Sequence, residues 1–157
     1  MDDVALARAL HVLGVVIWIG GASMATTVIL QALRRGDLGD NRLAVFEAVE
    51  HRFMWQARIA VLVVGLTGLY MTWRFDLWER FHSLSFWWMH AMVGVWLLFA
   101  FVLFIGEPFI LKRHFHHWVQ TDPDLAFLWL HRAHWLLVGL AWITVLGAVA
   151  GSHGWSF

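Results

Sequence analysis

Ten histidines lie in a 157-residue chain that is 61% hydrophobic and contains no cysteine. An imidazole is costly in hydrocarbon, so a histidine inside an apolar helix needs a partner or a role. Without cysteine, a metal falls to histidine, methionine or carboxylate, and disulfides and thiolate clusters are excluded. His11 and His90 sit inside long apolar runs, and His51, His131 and His134 sit toward the starts of two others. Two imidazoles from facing helices, one on each side of a porphyrin, give the bis-histidine ligation of b-type haem. That is the chemistry this residue set favours.

Positioning such residues is the task of the elements around them. Only 14% of residues are charged, the net charge is zero, and the mean hydropathy is +0.66. This is a membrane composition, and no basic footprint argues for nucleic acid. A spanning helix needs about 20 mostly apolar residues. Four segments meet that need, at about 5–31, 53–73, 86–111 and 125–151, within one domain covering 1–157. The expected fold is an all-α integral membrane four-helix bundle, up-down-up-down. The acidic start Met1-Asp2-Asp3 is unlike a signal peptide, so the first helix is expected to stay in place. Pro108 is expected to bend or end helix three, and Asp122-Pro123-Asp124 reads as the start of helix four. Of the twelve tryptophans, several lie near helix ends, as in interfacial belts.

Orientation follows the basic residues. Loop one carries Arg34, Arg35 and Arg42, with Arg52 just beyond, and loop three carries Lys112 and Arg113. These loops should face the cytoplasm of a cell with this protein in its inner (plasma) membrane, and both termini should lie outside. His11 and His90 then share an outer layer. His51, which opens helix two, shares an inner layer with His131 and His134. The preferred site is the outer pair His11/His90, with His51 and either His131 or His134 holding a second haem if there is one. Gly14 and Gly94 lie on the faces of His11 and His90 and would leave room for a flat macrocycle, while Trp18 continues the His11 stripe. Interfacial placement competes for His51, His82 and His153. The tract His114, His116 and His117 reads as a solvated loop.

Arg58 shares a face with His51 and Trp55. It has two readings: partner of a haem propionate, or ion pair with Glu107 at similar depth. Met89 and Met92 flank His90 and offer a thioether–imidazole site for copper. His90 is turned about 100° from Met89, so the three converge poorly.

These residues resemble a family. Leu10-His11-Val12-Leu13-Gly14 through Trp18-Ile19-Gly20-Gly21 is similar to the first helix of the copper-resistance protein D (CopD)-like membrane proteins. Ala57-Arg58, Leu66-Thr67-Gly68-Leu69-Tyr70 and Trp88-Met89-His90 resemble later parts of it. The resemblance covers about residues 5–112. More distantly, the chain resembles the HemJ-type protoporphyrinogen oxidases, which are implied to bind haem b. Their third-helix lysine is Met92 here, and Gly106-Glu107-Pro108 only partly echoes their Asn-Glu-Pro segment, which argues against that activity. The resemblance implies His11 and His90 as metal or haem ligands, Arg58 as a supporting residue, and copper uptake as the family's namesake role.

The function expected is a haem b protein moving electrons in the bilayer, with a quinone or a membrane oxidoreductase as partner. The runner-up is a copper-handling transport protein. A third reading is a non-catalytic accessory subunit whose tryptophans and small residues pack against a larger complex, and a homo-oligomer is a separate partner expectation. No nucleophile–base arrangement or phosphate loop is evident, so hydrolysis is not expected.

Overall fold

The computed structural model describes residues 2–39 and 41–155. Four helices are long and apolar enough to cross a membrane: α1 (Asp3–Arg35), α2 (Arg42–Arg74), α3 (Leu84–Phe109) and α5 (Pro123–Ser152). The short α4 (Lys112–Thr121) precedes α5. The described chain is all-α, and it runs up-down-up-down as a four-helix bundle. One end, called upper here, carries the two termini and the α2–α3 connection. The other, lower end carries the α1–α2 turn and α4.

Local signals set the helix ends. The Asn41 side chain accepts from the Ala44 N–H, and the Asp122 side chain accepts from Leu125 ahead of Pro123 at the first position. Each caps a backbone donor that the helix cannot satisfy itself. Gly36 closes α1 at φ 79°, a left-handed conformation in which a side chain would be strained.

Helix α1 packs along α2, and α3 along α5; α1–α5 and α2–α3 contacts complete the ring. Helices α1 and α3 are therefore diagonal. In lipid there is little hydrophobic gain from helix association, so close packing at small residues must supply it. Five glycines do so here. Gly14 lies against Val64 and the Ala60 carbonyl, Gly21 seats Phe53, Gly65 seats Trp96, and Gly147 and Gly151 seat Trp87 and Trp88. At mid-depth Trp18, Ala57, Ala60, Val61, Val64, Phe99, Leu103 and Ala141 form one core, crossed by Trp18 edge-on to Phe99 at 5.0 Å. A second core of Leu30, Leu33, Phe46 and Phe127, joined by Phe115 and Val119, closes the lower end.

Three expectations about the elements change. The third connection is helical rather than a loop, because Phe115 and Val119 share a face that packs on the lower core. His116 of the expected tract lies outside the described side chains. Helix α2 begins at Arg42, well before His51, which is an exposed residue within the helix rather than its first. Of the two alternatives for Pro108, bending or ending the helix, the ending is not taken, since the chain stays helical beyond it. The helix passes through it in π form over Val102–Leu111, a wider turn that relieves the clash of a proline ring with the carbonyl four residues back.

Candidate functional site

His11 projects from the upper part of α1 onto α2. Its Nδ1 lies 3.0 Å from the Thr67 hydroxyl oxygen. That hydroxyl lies 2.6 Å from the Val63 carbonyl and 3.2 Å from that of Val64, to which it can only donate. Thr67 therefore accepts from His11, so Nδ1 carries the imidazole proton and Nε2 carries the lone pair. The Val64 carbonyl is a second acceptor at the ring, and no other hydrogen bond to His11 is seen among the described residues. The ring edge rests on Gly68, where a Cβ would lie 3.2 Å from Cε1. Gly14 does not leave space for a macrocycle, because α2 fills it.

His90 lies at the same end, on diagonal α3. Its Nε2 is 3.0 Å from the Phe81 carbonyl and its Nδ1 is 3.4 Å from that of Phe86. Both partners are acceptors, so a neutral ring can satisfy only one. The Phe81 ring stands edge-on at 5.6 Å. Gly94 is open: apart from its own helix backbone and chain neighbours, no group among the described residues lies within 4 Å of an added Cβ. Met89 is 7% exposed and Met92 36%, so the two thioethers face different surroundings.

Lower down, Arg58 takes the ion-pair alternative. Its Nη2 is 2.8 Å from Glu107 Oε2, and its Nε donates to the Leu103 carbonyl at 3.1 Å. The two side chains are 25% and 15% exposed. The π form of α3 places both Glu107 and the Leu103 carbonyl toward α2. As arranged, Arg58 has its charge balanced within the protein.

The inner candidates separate sharply. His131 is buried and spent: Arg34 Nη1 is 2.9 Å from its Nδ1, and the Thr26 carbonyl is 3.1 Å from its Nε2. Arginine can only donate, so Nδ1 accepts and Nε2–H donates to Thr26. Trp135 Nε1 also lies 2.9 Å from Nε2, but a protonated nitrogen cannot accept from it. His134 differs. Its Nδ1–H donates to the Leu130 carbonyl at 2.9 Å, one turn back on its own helix, which leaves Nε2 as the lone-pair nitrogen. His51 is exposed on α2, and among the described residues no contact joins it to either.

Trp18, on the His11 stripe, is 3% exposed, and its indole Nε1 has no hydrogen-bond partner among the described residues. A buried donor without an acceptor costs free energy, about 1–3 kcal/mol. A haem carboxylate or a buried water has the chemistry to satisfy it. The residues thus fit a haem unevenly. His11 offers an oriented imidazole and Trp18 an unused donor, whereas His90 is held by carbonyls and Arg58 by Glu107.

Sequence reading missed Thr67 as the residue that orients His11. Thr67 was visible in the Leu66–Tyr70 run, and a hydroxyl on the facing helix at matching depth is the signal that points to it. No family model, curated protein or solved structure matches this chain.

Proposed function

We propose that the chain is a multi-pass membrane protein that binds haem b at its upper end, with His11 and His90 as axial ligands, and takes part in electron transfer. One observation carries the reading: His11 is fixed with Nδ1 protonated and Nε2 carrying the lone pair, the state of an imidazole prepared to meet a metal. His90 supports it by position, at the same end on the diagonal helix. A metal-bound imidazole keeps one outward hydrogen bond, so His90 would retain only one of its two carbonyl contacts. When bound, haem supplies the one-electron chemistry, and the protein supplies ligands and a low-dielectric setting.

The basic residues Arg34, Arg35, Arg42 and Arg52 gather at the lower end, which supports a cytoplasmic lower face and an outward site in a plasma membrane. A membrane quinone or oxidoreductase is the partner such a site calls for. The test is an optical spectrum of the purified protein, oxidised and dithionite-reduced, with metal analysis of the same sample. A Soret band with sharp reduced α and β bands, lost in His11→Ala and in His90→Ala, is the expected result. A colourless protein carrying copper overturns it in favour of copper handling. A colourless, metal-free protein from haem-sufficient cells points instead to an accessory subunit.

A further inference from the structure

We infer that Thr67 is the positioning residue that decides which nitrogen of His11 meets a metal. The inference deepens the haem reading and rests on it for the metal. The tautomer of the imidazole does not depend on a metal. The short contact from the Thr67 hydroxyl to the Val63 carbonyl, 2.6 Å, requires the hydroxyl proton between the two oxygens. The oxygen can then only accept from His11, and the ring proton is pinned on Nδ1. Gly68, one residue on, has no side chain to lift the ring off this partner. Sequence neighbours on α2 thus fix both the tautomer and the seat of a ring on α1.

A hydrogen bond from the far nitrogen of a metal-binding histidine raises the basicity of the ligand and holds its plane. Loss of such a partner weakens metal affinity by about 10- to 100-fold. A more basic ligand also favours the ferric state, so removing Thr67's oxygen raises the haem potential. Valine keeps the shape of threonine without its hydroxyl, and serine keeps the hydroxyl.

The experiment uses the full chain, without haem, labelled with ¹⁵N-histidine in detergent micelles. The His11 signal is assigned with His11→Gln. Hemin is then titrated into wild type, Thr67→Val and Thr67→Ser, and the midpoint potential of each complex is read. Nδ1–H imidazole in wild type, a mixed tautomer in Thr67→Val with weakened hemin binding and a raised potential, and recovery in Thr67→Ser are expected. An Nε2–H signal for His11 in wild type overturns the inference. So does a Thr67→Val protein with unchanged tautomer and unchanged hemin affinity. If wild type binds no hemin, the haem reading fails, and the tautomer comparison still decides the role of Thr67.

Discussion

The Thr26 carbonyl accepts from His131 Nε2 across 3.1 Å because α1 changes register beneath it. Between Ala25 and Ile29 the helix is π, and the Leu30 N–H reaches back five residues to Ala25 rather than four to Thr26. The register change diverts the donor Thr26 would ordinarily receive, and a histidine from α5 takes its place. Helix α3 repeats the device, with the Leu103 carbonyl in its π stretch accepting from Arg58. In a bilayer a diverted carbonyl must find a partner inside the protein. Both partners come from a neighbouring helix, so each π stretch is also a tie.

His131 is therefore expected to stabilise the bundle as a tie and not as a ligand. His131→Ala leaves the fully buried Thr26 without its partner and should cost about 1–3 kcal/mol. Thermal unfolding of the detergent-solubilised protein measures this. Trp135→Phe makes a sharper check, since Trp135 has no acceptor in His131 and should change stability by less than about 0.5 kcal/mol. A large loss in Trp135→Phe would show that the tautomer assigned to His131 is wrong.

Arg58 and Glu107 should behave as a unit. Removing either partner strands the other charge in a site only a quarter exposed or less, at about 3–5 kcal/mol. The double variant Arg58→Met/Glu107→Leu should lie closer to wild type than either single change. A double-mutant cycle of unfolding free energies reads the coupling. Additive losses would mean that the pair is not formed in the micelle.

Two glycines that look alike in sequence should respond oppositely. Gly14→Ala places a methyl 2.8 Å from Val64 and 3.3 Å from the Ala60 carbonyl, so α1 and α2 must move apart. Overpacking of this kind costs about 1–3 kcal/mol. Gly94→Ala meets open space and should leave the stability of the haem-free protein unchanged. If a macrocycle lies on that face, Gly94→Leu will weaken hemin binding without altering the tautomer of His11.

His134 can be tested beside His51. His134 has Nδ1 committed to Leu130 and Nε2 as its lone-pair nitrogen, whereas His51 is exposed on α2. If the protein binds a second haem, the second spectral component should vanish in His134→Ala and persist in His51→Ala. Persistence in His134→Ala would remove the inner site from consideration.

The bundle was legible in the sequence because apolar length is a strong signal for a span, and Asp122-Pro123 marks a cap that periodicity alone would not place. Helix ends were less so. Arg42 to Arg52 is polar enough to read as loop, yet Phe46 in its middle is buried against Phe127 and holds it helical. The pairing of Arg58 with Glu107 was foreseen as one of two alternatives, since depth can be counted along a helix. Which nitrogen of a histidine is free could not be read. That depends on whether the facing residue is a hydroxyl, as for His11, a guanidinium, as for His131, or the helix's own carbonyl, as for His134. The π stretches carried no advance sign beyond Pro108.

Trp87 and Trp88 are adjacent, and the glycines that receive them, Gly147 and Gly151, are one helical turn apart. Sliding α5 by a turn in one direction would bring Trp87 to Gly151 but carry Trp88 past the end of the helix at Ser152. The opposite slide would bring Trp88 to Gly147 but set Trp87 against Ile143. Either indole alone would tolerate two registers; together they admit one. The α3–α5 pair is thus locked against a slide by one helical turn.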